Sequence, residues 1–235
     1  MNATDTASAA SRHWEEPIRA EIFGMDRLEQ HAESLAAAQR TTLDPSEGRD
    51  LLPRVRDNAK VLLAGYRSVA ETIREKREIT PAAEWLLDNF HIVEEQVREI
   101  RDHLPGKYYR LLPKIAEGHL AGYPRVYGLA WAYVAHTDSR FQLETLERFV
   151  ASYQRVQPLS IGELWAVAIH LRIALAVDLR RLSHLIVRSR RGRAAADVLA
   201  DRLLGLRGRP VEPPVVVLGA REVVGLRGRC AGRGV

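Results

Sequence analysis

The amino-acid sequence predicts an all-α protein, a multi-helix bundle of about seven or eight helices with a disordered C-terminal tail. Three observations support this fold class. Apolar residues recur at steps of three and four over most of the chain up to residue 204. No stretch before residue 205 alternates apolar and polar residues as a half-buried strand would. The 235 residues are 46% hydrophobic, which is enough to bury a sizeable core.

Composition divides the chain into three parts. Residues 1–11 are small and polar, which predicts a disordered N-terminus. Residues 12–204 form the predicted helical domain. From residue 205 to 235, Gly, Pro, Arg and Val mix without a helical period, which predicts a flexible tail. Because the helical pattern breaks off abruptly, we favour a frameshifted or truncated gene product over a simple basic tail.

The charge balance excludes a polyanion-binding domain. The formal net charge is +5, and residues 206–235 supply +4 of it through six Arg and two Glu. The helical domain is therefore nearly neutral with a mixed surface, and we expect no nucleic-acid partner. Cys230 is the single cysteine, so no disulfide framework can form within one chain. The most apolar stretch, 161–177, is interrupted by Glu163, His170 and Arg172, so no transmembrane segment is expected.

Two helices are predicted before residue 80. The first begins near Ile18 and ends at about Arg40, and residues 44–48 have the composition of a turn. The second begins at Asp50 and tolerates Pro53 in its first turn. Its apolar face is formed by Leu52, Val55, Ala59, Leu62, Tyr66, Val69 and Ile73.

The stretch 80–104 is predicted to be one helix on which the rest of the chain is organised. Thr80 can cap it, Pro81 suits its first turn, and the Pro105-Gly106 pair ends it. One face is apolar and consists of Leu86, Phe90, Val93, Val97, Ile100 and Leu104. The opposite face is charged or polar and consists of Glu84, Asp88, His91, Glu95, Arg98 and Asp102.

Further helices are predicted over 108–117, 125–137, 142–156, 160–190 and 194–204. Ser160 and Glu163 form the Ser-x-x-Glu pattern of a capping box at the start of the long helix. Pro124 precedes a helix rich in aromatic residues. These elements complete the predicted bundle.

The polar face of 80–104 is the main candidate for a functional surface. Asp88, His91 and Glu95 share it within two turns, and carboxylate plus imidazole can bind a divalent metal. The separation His91-x-x-Glu94 reverses the Glu-x-x-His of di-iron bundles, and no second such motif is present. A solvated, salt-bridged helix face that includes Arg98 and Asp102 is the favoured interpretation, so we predict no metal site.

Aromatic residues could form a sugar-binding platform, but at helical spacing they are more often core anchors. Tyr109 and Tyr123 lie closest to turns and are predicted to be the most exposed. The candidate interaction surface therefore comprises Glu84, Asp88, His91, Glu95, Arg98, Asp102, Tyr109 and Tyr123. No catalytic or cofactor-binding residue is predicted, because Walker A, dinucleotide-binding, zinc-protease, nucleophile-elbow and Asp-x-Asp motifs are all missing.

Four stretches carry a resemblance to a known family. They are LLPRVRDNAKVL (51–62), EWLLDNFHIVEEQVREIRDHLPGKYYRLLPKIA (84–116), GYPRVYGLAWAYVAHTDSRF (122–141) and QPLSIGELWAVAIHLRIAL (157–175). Together they resemble the N-terminal region of bacterial cyclic β-1,2-glucan synthases, over about residues 19–205. Long runs in the same order are more specific than a short motif.

The resemblance implies a parent glycosyltransferase that builds cyclic β-1,2-glucan from UDP-glucose with a divalent metal. In that family a membrane-embedded transferase core and a phosphorylase-like domain do the chemistry, and neither is expected within this chain. The resemblance therefore implies a non-catalytic helical region that packs on the transferase core, in the cytoplasm or at the cytoplasmic face of the inner membrane. Two alternatives remain open. One is an independent scaffold or adaptor that uses the charged face or the Arg188–Arg193 cluster, and the other is a small metal-dependent enzyme built on Asp88, His91 and Glu95.

Overall fold

The computed structural model of the protein describes residues 20–44, 48–104 and 106–204. The predicted disordered N-terminus, 1–11, and the predicted tail, 205–235, lie outside the described residues. The chain divides into two compact units, Met1–Val187 and Arg188–Val235. In the second unit the described residues are 188–204, and every contact discussed below lies in the first.

The described residues form eight helices and two very short strands, which confirms the all-α prediction. In chain order the elements are α1 (Met25–Ala38), β1 (Thr41–Thr42), α2 (Leu52–Arg74), α3 (Pro81–Asp88), α4 (Phe90–His103), α5 (Gly106–Leu111), β2 (Lys114–Ile115), α6 (Arg125–Thr137), α7 (Leu143–Val156) and α8 (Ile161–Leu203). Within the part of the chain that the structure describes, no helix is both long and apolar enough to cross a bilayer.

The stretch 80–104 is two helices, so the prediction of one continuous helix is wrong. Thr80 caps α3 as predicted, since its Oγ1 accepts from the Ala83 N–H at 3.3 Å. Asn89 leaves the α conformation, with φ −105° and ψ 8°. Both its side-chain Nδ2 and its backbone N–H donate to the Trp85 carbonyl, at 2.9 and 3.0 Å. An asparagine that competes for a backbone carbonyl in this way ends α3 before α4 begins.

The described residues also contain one pair of very short strands, which leaves the all-α prediction unchanged. β1 and β2 pair antiparallel, with Thr41 opposite Ile115 and Thr42 opposite Lys114. Two residues cannot show an alternating pattern, so no sequence signal marks them. The predicted helix 108–117 ends early, at Leu111. The reason is Pro113, because proline cannot continue the helical hydrogen bonding and restricts the conformation of the residue before it.

Two further helix boundaries differ from the predicted ones. α1 begins at Met25 rather than near residue 18, since the N–H groups of Ala20 and Phe23 donate to the carbonyls of Ala135 and His136, at the end of α6. α8 covers both predicted helices, 160–190 and 194–204, as one element. Gly192 does not interrupt it, because a glycine within a helix costs only about 1 kcal/mol.

The helix α6 lies at the centre of the core, a position the sequence analysis assigned to 80–104. Tyr127 and Tyr133 are 0% and 2% exposed, and nearly every residue of α6 is buried. The main core cluster around it draws on α1, α2, α4, α7 and α8 through residues such as Leu28, Val55, Ile100, Phe149 and Ile173. A smaller cluster joins α2, α3 and α4 through Leu62, Leu86 and Phe90. The region 80–104 therefore contributes to both clusters, while α6 is the more deeply buried element.

Candidate interaction surface

The six charged or polar residues predicted to share a face of 80–104 are all exposed. Glu84 and Asp88 lie on α3, and the other four lie on α4. Within the described ranges, none of the five charged members forms an ion pair. The face is therefore solvated as predicted, but the predicted salt bridges along it are not formed. The face carries four carboxylates and only one guanidinium, so it is acidic.

The described residues contain no group of three His, Cys, Asp or Glu side chains that could hold a metal ion. Asp88, His91 and Glu95 share the surface of α3 and α4 without converging on one point. The metal-dependent alternative thus has no structural support in this part of the chain.

Tyr109 and Tyr123 do not belong to this surface, and the prediction that they are the most exposed aromatic residues is wrong. They are 5% and 8% exposed. The Tyr109 hydroxyl donates to the Arg49 carbonyl at 2.7 Å, and burial raises the pKa of that hydroxyl above its ordinary value. Tyr123 packs edge-on against Tyr127, with ring centroids 5.5 Å apart. Closeness to a turn in the sequence does not reveal burial, because burial depends on what the segment packs against in the folded chain.

The exposed indole rings belong instead to Trp85 and Trp165, which are 51% and 82% exposed. Trp85 lines an apolar groove of about 310 Å³ between the α3–α4 pair and α8. The groove is lined by Trp85, Ile92, Val93, Gln96, Val97, Ser139, Arg172, Leu175, Ala176, Asp178, Leu179 and Leu182. The apolar pattern of 80–104 did not predict this groove, although Trp85 and Ile92 lie seven residues apart, which is the spacing of a second apolar stripe.

A second groove, of about 440 Å³, lies between α2 and α4. Its lining combines apolar side chains with several charged ones, among them Arg56, Lys60, Glu94 and Arg101. The two grooves flank α4 on either side of its buried residue Val97. The first is the more apolar, and it lies beside the acidic face.

A buried ion pair holds the start of α6 to the start of α8. Arg125 donates two hydrogen bonds to the Glu163 carboxylate, from Nε at 2.5 Å and from Nη2 at 2.8 Å. The guanidinium also donates to Gln157 Oε1 and to the Pro158 carbonyl, both at 2.9 Å. The Glu163 side chain is 1% exposed and that of Arg125 10%. A bidentate pair with its remaining donors satisfied is the arrangement in which a buried salt bridge is tolerated.

Glu163 also confirms the predicted capping box. The Ser160 N–H donates to Glu163 Oε2 at 2.9 Å, and the Glu163 N–H donates to Ser160 Oγ at 3.3 Å. Burial by itself would raise the pKa of the Glu163 carboxyl, but hydrogen bonds from Arg125 and Ser160 outweigh it and hold the pKa below its usual range. The hydrogen bond with Glu163 likewise raises the pKa of Arg125 against the effect of burial. The pair is therefore ionised in the folded protein.

His170 is a buried titratable group in the main core. It is 0% exposed and lies between the rings of Tyr109 and Tyr127, at centroid distances of 6.4 and 6.2 Å. Its Nδ1 donates to the Ala166 carbonyl at 2.7 Å, and its Nε2 has no hydrogen-bond partner among the described residues. Burial lowers the pKa of His170 to about 4, and the hydrogen bond to Ala166 opposes this only in part. The imidazole is therefore neutral at pH 7.

We expect His170 to make stability depend on pH. The unfolded chain takes up its proton at about pH 6.5 and the folded protein only at about pH 4. The free energy of unfolding therefore has its full value above pH 6.5. It decreases by about 3 kcal/mol in all as the pH falls towards 4. His170→Leu should make the free energy of unfolding in urea less dependent on pH over this range. Parallel curves for the wild type and His170→Leu would contradict the assignment.

The fold and this surface define the protein as an all-α region. It has a solvated acidic face, an adjoining apolar groove and a buried Arg125–Glu163 ion pair. No protein-family model matches the chain. The cyclic β-(1,2)-glucan synthase NdvB of Rhizobium meliloti (strain 1021) is 39% identical to the chain over 193 residues. The aligned part is 82% of this chain and 7% of that protein.

The matched part of the chain is therefore homologous to a short region of a cyclic β-(1,2)-glucan synthase, and the resemblance identified from the sequence is confirmed. The chain spans only about 7% of the length of the curated relative. What this region does is a separate question from what the whole relative does.

Proposed function

We propose that the chain is the N-terminal, non-catalytic helical region of a cyclic β-1,2-glucan synthase, and that it packs on the transferase core of that enzyme. The observation that carries the proposal is the similarity to NdvB over 193 residues, which leaves the greater part of the relative outside the match. The proposal places the region in the cytoplasm or at the cytoplasmic face of the inner membrane. UDP-glucose and a divalent metal would bind elsewhere in the parent enzyme.

The local architecture supports a non-catalytic role. Nucleotide sites of α/β folds lie at the carboxyl ends of parallel strands. In the described residues the only sheet is the antiparallel pair β1–β2, with two residues in each strand. The buried Arg125–Glu163 pair is engaged within the protein, where it joins α6 to α8. A buried pair of this kind positions helices, which is consistent with the proposed structural role.

The chain should not synthesise glucan when it is supplied alone with radiolabelled UDP-glucose and Mg²⁺ or Mn²⁺. Full-length NdvB in membranes is the positive control for the assay. The expected result is labelled glucan from the control and none from the chain. Labelled glucan, or label bound covalently to the chain, would contradict the non-catalytic assignment.

Packing on the transferase core is tested by a second experiment. The synthase is expressed without this region, and the chain is added as a separate, tagged polypeptide. The proposal expects the two to co-purify from detergent-solubilised membranes. An unrelated helical protein of similar charge is the control, and equal recovery of the two would contradict the proposal.

An independent scaffold or adaptor is the second candidate, and the unpaired acidic face of α3 and α4 favours it. The genomic DNA beyond codon 205 distinguishes the candidates when it is translated in all three frames. An open frame that resumes with membrane spans and a sheet domain supports the synthase region. Unrelated sequence in every frame supports the adaptor.

A further inference from the structure

The apolar groove beside α8 has the dimensions of a helix-binding site. Its α8 wall runs from Arg172 to Leu182, which is about 15 Å or three helical turns. Helices bound in grooves anchor themselves with apolar residues at i, i+3 or i+4, and i+7, a repeat of about two turns. The floor offers Leu175, Leu179 and Leu182, and the opposite edge offers Trp85 and Ile92, which are 51% and 45% exposed.

Three of the four polar residues that line the groove, Ser139, Arg172 and Asp178, are engaged within the protein. Arg172 donates to Glu99 Oε2 at 2.6 Å, and Asp178 Oδ2 accepts from Ser139 Oγ at 3.0 Å. They therefore compete little with apolar contacts along the floor. An apolar side chain would displace water from this surface at little polar cost.

The helix positions next to the α3–α4 wall of the groove, outside the lining itself, are acidic. Glu84 precedes Trp85, and Asp88 and Glu95 each follow a groove-lining residue by three positions, Trp85 and Ile92 respectively. All three carboxylates are exposed and form no ion pair within the described residues. An unpaired row of negative charge beside an apolar floor favours a partner that has cationic residues next to its apolar face.

We propose that this groove binds a basic amphipathic helix, whose apolar side chains enter between Trp85 and Leu182 and whose Lys or Arg residues lie against Glu84, Asp88 and Glu95. The source of that helix is another segment of the synthase polypeptide. This part of the inference rests on the proposed function. The groove thus becomes the contact through which the helical region is attached to the rest of the enzyme.

The test uses the full chain and two fluorescein-labelled, 14-residue amphipathic peptides, one of Leu and Lys and one of Leu and Glu in the same order. Binding is followed by fluorescence anisotropy. The Leu/Lys peptide should bind at least tenfold more tightly than the Leu/Glu peptide. Trp85→Ala should weaken its binding at least tenfold, whereas Trp165→Ala, which removes the more exposed indole outside the groove, should change it less than twofold.

The charge argument has its own variants. Glu84→Gln/Asp88→Asn/Glu95→Gln should weaken the Leu/Lys peptide three- to tenfold at low salt and reduce its salt dependence. The matched control neutralises three exposed carboxylates elsewhere and is Glu71→Gln/Glu144→Gln/Glu147→Gln. It should change the logarithm of the Kd for the Leu/Lys peptide by less than half as much. Circular dichroism and unfolding midpoints confirm that each variant is folded.

Several results would overturn the inference. The first is equal binding of the two peptides, and the second is an equal loss of Leu/Lys peptide affinity in Trp85→Ala and Trp165→Ala. The third is a self-associated form in sedimentation velocity that Trp85→Ala dissociates, since a second copy would then occupy the groove. The co-purification assay separates this inference from the proposed function. If the remaining synthase retains Trp85→Ala chain as well as wild type, the groove assignment is wrong while the proposed function stands.

Discussion

Arg125→Met should destabilise the protein by about 3–5 kcal/mol, because it leaves the Glu163 carboxylate buried without its counter-ion. That carboxylate is 1% exposed and accepts two hydrogen bonds from the guanidinium. The guanidinium also holds the Gln157 side chain and the Pro158 carbonyl, so the substitution loosens the connection between α7 and α8 as well. Urea unfolding at pH 7 measures the loss.

The double variant Arg125→Met/Glu163→Gln is the informative control. Glutamine keeps the capping box at the start of α8 but carries no charge. The double variant should therefore be more stable than Arg125→Met alone. A second control, Arg27→Met, removes the exposed partner of Glu21 and should cost no more than about 1 kcal/mol. A double variant as damaged as the sum of its single variants would show that charge burial is not the cause.

The same pair predicts a pH dependence with a definite sign. In the wild type the Glu163 pKa is lowered, so the pair contributes stability above the ordinary carboxyl pKa and loses it as pH falls through the lowered value. In Arg125→Met the pKa of the unpaired, buried Glu163 should rise instead. The deficit of that variant should thus be smaller at pH 4 than at pH 7. An equal deficit at both pH values would contradict this account.

Phe90→Ala should cost about 3–5 kcal/mol through lost burial and the cavity that remains. Phe90 is 5% exposed, and its ring stacks on Tyr66 at a centroid distance of 4.3 Å. It belongs to the smaller core cluster with Leu62 and Leu86, which joins α2 to the α3–α4 pair. Denaturant unfolding of the variant measures the cost.

His91→Ala is the matched control for Phe90, one position along the chain and on the exposed face. It should change the free energy of unfolding by less than about 0.5 kcal/mol. If it were the more damaging substitution, the assignment of the two helix faces would be reversed. A network involving Asp88, His91 and Glu95 would then have to be reconsidered.

The apolar spacing of the sequence by itself determined the fold class and much of the inward-facing pattern. Leu86, Phe90, Val97, Ile100 and Leu104 are buried as their spacing predicts. The caps at Thr80 and Ser160 are formed as predicted, because capping depends on side chains within three residues of each other. These features follow from the 3.6-residue helical period and from local hydrogen bonding, and the sequence contains both.

Only the tertiary structure decided which surfaces are available for binding. Tyr109 and Tyr123 are buried in the main core cluster, whereas Trp85 borders a groove formed with α8, about ninety residues further along the chain. The bidentate partner of Glu163 likewise lies 38 residues before it, although its capping role could be predicted from Ser160. The physical reason is that groove walls and buried ion pairs depend on contacts between residues far apart in the chain, which the helical period does not encode.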